Sequence, residues 1–414
     1  MAKKVEKTEE PIEEENLDEI DLVGSILGDD SKIEAISAND VEVVDPSRMI
    51  STSLIPLDFA LGGGITKGRS YEISGPESHG KSTLCDSIVA SWLQKDKHAL
   101  CLRIESESTM DKIRCQMIGV DLNRVMVFET NIMEEGYDQI AAVQEKVYSK
   151  YGNKVPLLII WDTLTAAAPR VEIETDNSNG GGMMANARIN SRELRKLNGR
   201  CAQYDHAAII IQQVREDGTD GYGHTKYKTT GGQALKHYLS SRLFVKRRAP
   251  IFKDNNSMND VIGYEVEIQM LKNKITGISR PIPLVMNIME GFDRYGSAAL
   301  FALENNRCAP FIVLKGAWVK IIDHKNNEMP SINGAKKLAE KLKTDPYLMK
   351  LVEYAAYYNK SAEHELFRVK YETLLKKLYM ELDELYPKGK EKKDAAKQVD
   401  SSLNSVIDNL NIEE

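Results

Sequence analysis

The segment Glu72–Leu84, EISGPESHGKSTL, runs from a short apolar strand through a glycine-rich turn into the start of a helix. Within it, Gly75-Pro76-Glu77-Ser78-His79-Gly80-Lys81-Ser82 fits G-x-x-x-x-G-K-[ST] at every fixed position. The glycines permit the turn, successive backbone N–H groups then line a cradle for phosphates, and the helix N-terminus adds its positive end. Lys81 is placed to reach the β- and γ-phosphates, and the Ser82 hydroxyl, with Thr83 beside it, opens the helix where Mg²⁺ would sit. A bare match to the pattern arises by chance. A match framed by strand and helix makes a purely structural loop the weaker reading. His79 is expected to point to solvent, because such a loop works through its backbone, and it receives no chemical role. The implied ligand is a nucleoside triphosphate, read as ATP, with Mg²⁺.

The chain around this turn alternates strand and helix. Apolar strand candidates lie at 70–74, 99–105, 155–161, 207–213 and 241–247, with helical stretches at 82–95, 138–150 and 188–203 between them. Near-continuous apolar strands separated by helices predict an α/β fold, a mostly parallel sheet covered on both faces. The segments 264–274 and 282–289 then come as closely spaced strands, which predicts a hairpin-like edge. From about Lys336 the sequence turns helical and Lys/Glu-rich. The expected organisation is an acidic leader and N-terminal arm over 1–45, a core over 46–305, a small α-rich domain over 306–387 and a charged tail over 388–414. Within the leader, Leu17–Leu27 is weakly amphipathic and either docks on a neighbouring surface or stays an isolated arm.

Charge is unevenly spread. Residues 1–45 hold 15 acidic and 4 basic side chains, so the other 369 residues keep 51 of the 55 basic and 47 of the 62 acidic ones. The body is mildly basic, and the acidic overall balance does not exclude nucleic acid. The cysteines Cys85, Cys101, Cys115, Cys201 and Cys308 are scattered and form no CxxC pair, which fits buried thiols in a reducing compartment. No apolar run approaches the ~20 residues that span a bilayer, and the N-terminus lacks the apolar core of a secretion signal. A cytoplasmic protein without a membrane role is expected.

A phosphate loop of this kind needs a carboxylate at the end of a second buried strand to hold the metal. VPLLIIWD delivers Asp162 there, with Thr163 after it. The strand ALCLRIESE ends near Glu105 and Glu107, either of which would polarise an attacking water. Spacing does not choose between them.

GPESHGKST, IESE, WDTLTAAAPRVEIE, TTGGQALKHYLSSRL and LKNKI, in that order, resemble the bacterial recombinase RecA and its phage-encoded relatives over about Ile50 to Tyr295. The resemblance implies a RecA-type core and an ATPase that forms helical filaments on single-stranded DNA and exchanges it with homologous double-stranded DNA, in recombination and repair. It makes Glu107 the water-activating glutamate and Gln213 the γ-phosphate sensor. It puts Asp111 against adenine, with Arg114 where a tyrosine commonly stacks on the base. Lys272 and Lys274 fall on lysines that reach across a subunit boundary to the neighbour's phosphate loop. Two Gly-rich stretches, 174–188 and 214–232, correspond to mobile loops that hold DNA. There Arg188, Arg195 and Arg215 match backbone-contacting positions, and Met183 matches a side chain wedged between base groups. Tyr222, Lys226, Tyr227, Lys228, Gly231 and Gly232 complete the second loop. Such a mix of cations with flat or apolar groups suits sequence-independent binding. Single-strand-binding and mediator proteins are the further partners this implies, in the cytoplasm of a bacterial host if the chain is phage-encoded.

Two rivals share the phosphate loop. A ring helicase has no reason to carry TTGGQALK together with KNK, and a regulatory ATP switch needs neither long Gly-rich loops nor a mildly basic body. Electron microscopy with single-stranded DNA separates the three, as open helical filaments, closed rings or no assembly.

Overall fold

Residues along the central strands alternate between two cores, and this sorting builds the molecule. The computed structural model describes residues 46–174, 182–219, 225–229, 233–253, 260–363 and 365–386, all within one unit. The leader, its Leu17–Leu27 segment and the tail lie outside the described residues. A short antiparallel pair, β1 (Met49–Ile50) and β2 (Ile65–Thr66), precedes the main sheet. That sheet comprises β3 (Ser70–Gly75), β4 (Leu100–Glu105), β5 (Val125–Glu129), β6 (Leu157–Asp162), β7 (Ala207–Thr219), β8 (Thr225–Thr229), β9 (Ser241–Phe252), β10 (Val261–Asn273), β11 (Ile282–Asn287) and β12 (Gly291–Asp293).

Its order is β12-β11-β10-β9-β3-β7-β6-β4-β5, with β8 paired to β7. From β9 through β5 every pairing is parallel, and β9 through β12 then pair antiparallel as the expected edge. On one face Ile73, Cys101, Ile160 and Ile209 meet Leu84, Ile88 and Trp92 of the helix Lys81–Lys95. On the other, Ile104, Ile159, Trp161 and Ile210 meet Tyr137 and Ile140 of the helix Met133–Tyr151, and Leu194 and Leu197 of the helix Gly182–Tyr204. Consecutive strand residues therefore serve opposite cores, as the pleat requires.

Several elements differ from the sequence reading. β5 was not anticipated: it is five residues long, lies at the sheet edge, and leaves Met126 and Val127 exposed. The helix expected at 138–150 starts at Met133, its pattern hidden by Gly136, where a Cβ would stand 2.6 Å from the Trp161 ring. The second Gly-rich stretch is not wholly a loop. β7 continues to Thr219 and β8 returns along it, pairing Val214 with Thr229 and Arg215 with Lys228. The Thr-Lys-Tyr-Lys-Thr run of β8 suits a strand, with β-branched and aromatic residues alternating with lysines.

After the helix Arg294–Leu303, three antiparallel strands, β13 (Ile312–Lys315), β14 (Trp318–Ile322) and β15 (Glu328–Asn333), precede the helices Gly334–Thr344, Pro346–Glu363 and Glu365–Leu385. The small sheet was missed because its strands are short and interrupted by Lys320 and Pro330. This region shares a third core with the early helix Ile55–Leu61, in which Phe59 contacts Phe301 and Tyr357. All five cysteines are buried and unpaired.

The helix Ile55–Leu61 carries Asp58, whose carboxylate accepts from the Thr52 backbone N–H and hydroxyl, both at 2.7 Å, and from the Ser51 hydroxyl. Burial pushes its pKa up from 3.8 to about 7 despite these bonds. Between those values the folded protein binds more protons than the unfolded chain, so this group subtracts stability as pH rises through the window. The Asp58→Asn protein is expected to keep the bonds through its amide and to lack this loss. Its stability relative to wild type should rise from about pH 4 to about pH 7, by at most about 1.4 kcal/mol per pH unit. Urea unfolding at stepped pH reads the difference, and parallel curves for the two proteins would disprove the assignment.

Candidate functional site

Parallel strands carry their C-terminal ends to one edge of the sheet, the usual place for a ligand in such folds. β3 ends at Gly75, β4 at Glu105 and β6 at Asp162, while β7 passes the same edge at Gln213. The register pairs Gly75 with Gln213 and Glu105 with Asp162. The loop leaves β3 at Gly75, where an added Cβ would stand 2.4 Å from the Val245 carbonyl oxygen. It closes at Gly80, whose φ of +92° favours glycine, and the helix begins at Lys81.

The Lys81 ammonium is buried and donates to the Pro76 carbonyl at 2.7 Å. Burial draws its pKa down, against the pull of Asp162 and Glu107. The Ser82 hydroxyl lies close enough to Asp162 to favour its charged form, so the two candidate metal ligands are neighbours. Burial pushes the Asp162 pKa up, while the Arg103 guanidinium and Ser82 oppose it. A hydroxyl beside a carboxylate suits a hard divalent ion that keeps waters and phosphate oxygens as its other ligands. Contrary to expectation, His79 is half-buried rather than turned to solvent, its Nδ1 enclosed without a partner and its pKa lowered by burial.

The two glutamates occupy different environments. Glu105 is fully buried and held by Arg103. Glu107 is exposed, and its Oε1 accepts from the Thr163 hydroxyl at 2.7 Å and from Gln213 Nε2 at 2.8 Å. The Thr165 hydroxyl accepts from the Gln213 backbone N–H at 3.1 Å and donates to Gln212 at 2.9 Å, fixing the start of the β7 extension.

A pocket of 540 Å³ adjoins the loop, lined by Ser78, Lys81, Ser82, Thr83, Asp111, Arg114 and an apolar side of Met117, Tyr264, Met286 and Ile288. Asp111 caps the helix Lys112–Ile118, accepting from the Ile113 and Arg114 backbone N–H groups. Arg114 reaches across to the Thr83 hydroxyl, so its guanidinium lies along the pocket wall.

The candidate DNA residues are less gathered. Arg188 is exposed on the helix Gly182–Tyr204, which also carries Met183, whose side chain is outside the described residues. Arg195 Nε donates to the Tyr238 hydroxyl at 3.1 Å. Arg215 is exposed on β7, and the Tyr227 ring packs on Phe244 at 5.4 Å between centroids. Tyr222, Gly231 and Gly232 lie outside the described residues, as do the side chains of Lys226 and Lys228.

Lys272 and Lys274 stand away from the loop. Lys272 pairs with Arg242, itself level with Glu72 on β3, three residues before Gly75. Three residues back along the sheet is about 10 Å, and two strands across adds about as much. The Lys272 ammonium donates to the carbonyls of Lys236 and His237, the latter at 3.1 Å. Burial and the neighbouring Lys274 and Arg242 charges lower its pKa.

Sequence reasoning missed Arg103, which binds Asp86, Glu105 and Asp162 together. The signal was present: an arginine in an apolar strand, two residues before Glu105 and hence on its face. Among the described residues no helix is long and apolar enough to cross a membrane.

Comparison with known proteins agrees with this geometry. The model of the RecA N-terminal domain matches residues 19–292. The protein RecA of Nitratiruptor is 33% identical over 284 residues, which cover 68% of this chain and 77% of that protein. That of Haemophilus ducreyi is 32% identical over 302 residues, 72% of this chain and 76% of the relative. That of Deinococcus radiodurans is 35% identical over 273 residues, 66% and 68% respectively. A matched domain spanning the main sheet up to β12, together with the Nitratiruptor and Haemophilus ducreyi relatives, this similar over two thirds or more of each chain, makes the chain a member of the RecA family of recombinases.

Proposed function

We propose that this protein hydrolyses ATP with Mg²⁺ as a helical filament on single-stranded DNA, and in that state pairs the strand with homologous duplex. The observation that carries the reading is the 2.8 Å bond from Gln213 Nε2 to Glu107. Gln213 stands on β7, whose continuation carries Arg215 opposite Lys228 of β8. Arg215 is exposed there, where it can neutralise a backbone phosphate. One strand thus joins the residue beside the γ-phosphate position to a hairpin that carries Arg215.

The roles follow from placement. Backbone N–H groups of Gly75–Thr83, Pro76 excepted, and the Lys81 ammonium bind the phosphates, and Asp111 and Arg114 border the base. Ser82 and Asp162 hold the metal, which when bound neutralises charge on the phosphate oxygens. Glu107 accepts a proton from the attacking water and orients it. Gln213 ties the position of that carboxylate to β7. Lys272 and Lys274 lie too far from their own loop to serve it, and in a filament they serve the loop of the next subunit, stabilising charge as it develops there.

Loss of the Lys81 clamp in Lys81→Ala is expected to cut hydrolysis by about 10²-fold or more. Glu107→Gln should bind ATP within a few-fold of wild type and turn over far more slowly, measured by phosphate release against nucleotide-analogue fluorescence. Near-normal turnover in Glu107→Gln would remove the residue from catalysis.

DNA affinity should fall steeply with salt. Arg188→Ala and Arg215→Ala should each flatten the plot of log affinity against log salt by about 0.7 for every phosphate the variant no longer neutralises. Wild-type slopes in both would take the DNA site away from these elements.

The double variant Lys272→Ala/Lys274→Ala should bind ATP and show little DNA-stimulated hydrolysis. Mixed with Lys81→Ala protein it should regain partial activity, because one interface then joins an intact loop to intact lysines. A mixture that co-assembles on DNA and stays as inactive as its components rules out action across the interface.

A further inference from the structure

Beneath the nucleotide site lies a buried cation to which the proposed mechanism gives no task. Arg103 on β4 has a side chain 6% exposed, and the three carboxylates around it are 9% exposed or less. Its guanidinium offers a rigid fork of five N–H donors, used here in three directions. Nε meets Glu105, Nη1 meets Asp86, and Nη2 meets Asp162 Oδ2 at 2.8 Å. The partners come from three elements. Asp86 lies one turn after Ser82 on the helix Lys81–Lys95, Glu105 ends β4, and Asp162 ends β6 beside it in register. One guanidinium therefore fixes the helix that follows the phosphate loop to the strand ends that flank it.

The group is not balanced. Three carboxylates face one guanidinium, a formal surplus of two negative charges in an enclosure where burial drives the Cys101 thiol up to about 12. The Glu105 Oε2 atom is buried with no hydrogen-bond partner. Desolvation opposes the guanidinium's charge, but the carboxylates hold the Arg103 pKa above its ordinary value. A divalent cation approaching Ser82 finds one oxygen of each of the three carboxylates already engaged by Arg103.

We infer that Arg103 is a positioning residue for the metal-holding carboxylate: it pins one oxygen each of Asp162, Asp86 and Glu105, draws the latter two towards itself, and leaves a divalent cation beside Ser82 to meet Asp162 through its other oxygen. Two such ligands hold Mg²⁺ weakly, since that ion dehydrates reluctantly and is usually held by one or two carboxylates together with substrate phosphates. Nucleotide phosphates complete the set, and the cation enters with the nucleotide rather than before it. Without Arg103, three adjacent carboxylates bind a divalent cation unaided. The inference rests on the reading of Ser82 and Asp162 as the metal pair.

Mn²⁺ titration of the nucleotide-free, full-length chain, followed by the paramagnetic signal of free Mn²⁺, tests it. Wild type should take up almost none below the millimolar range. Arg103→Met should take up one equivalent at Mn²⁺ concentrations lower by about 10- to 100-fold, with ATP turnover reduced by a similar factor. A folded Arg103→Met protein, with wild-type circular dichroism, that takes up no more Mn²⁺ than wild type overturns the inference. Should Arg103→Met fail to fold, Arg103→Lys decides, because it keeps the charge but presents a single point donor. It should keep its KM for ATP within about threefold and lose about tenfold or more in kcat. Wild-type kcat in Arg103→Lys overturns the inference. Should wild-type nucleotide binding need no divalent cation and Ser82→Ala leave it unaltered, the metal-pair reading fails instead, whatever Arg103 does.

Discussion

Strand register is the constraint on which the site depends. β3 and β7 place Gly75 beside Gln213, and β4 and β6 place Glu105 beside Asp162. A slip of one residue in any of these pairings would turn every side chain of that strand to the opposite core. Asp162 would then leave Ser82, and Gln213 would leave Glu107. The apolar alternation that fills both cores also prevents the slip, since Ile159 and Ile160, or Ile209 and Ile210, cannot exchange faces without emptying one core and crowding the other. Packing of the interior and alignment of the reacting groups are thus one requirement.

What the sequence made legible follows from the range over which each interaction acts. The phosphate loop and the buried parallel strands are written in consecutive residues: β3, β4 and β6 lie within a residue or two of where the apolar runs put them, while β7 and β9 start as expected and run on to Thr219 and Phe252. The β7–β8 hairpin is not local: its pairing of Val214 with Thr229 spans residues whose glycines and polar groups suggest a loop. β13 to β15 are short and half-exposed, so no run of apolar residues announces them. The choice between Glu105 and Glu107 was open to spacing, because both stand near a strand end. Arg103 separates them physically, engaging the glutamate that shares its face and leaving the other to Thr163 and Gln213.

Buried charge enters this fold in two forms. Glu72 and Arg242 face each other across β3 and β9, two opposite charges joined by two hydrogen bonds. Such a matched pair is weak grounds for extra stability, because desolvation offsets the attraction. The Arg103 group is unmatched, and an unmatched buried charge persists where something else meets the surplus. Its position, one helical turn from Ser82, ties that surplus to the place where a divalent cation would bind.

The two ends of the sheet carry opposite surpluses. At the edge where the parallel strands end, Asp86, Glu105, Glu107 and Asp162 outnumber Lys81 and Arg103; at the other, Lys272, Lys274 and Arg242 outnumber Glu72. A twofold dimer that brought Lys272 and Lys274 against their own copies would set like charges face to face. Head-to-tail stacking sets unlike ends together instead, and a heterologous contact of that kind either closes a ring or runs on as an open helix. A negative nucleotide held at one end strengthens its attraction to the lysines of the next copy. In the proposed assembly, nucleotide binding and subunit contact therefore favour each other, and the coupling between them is reciprocal. The Gln213–Glu107 bond then lies at the same junction as those lysines, on the strand that runs on to Arg215.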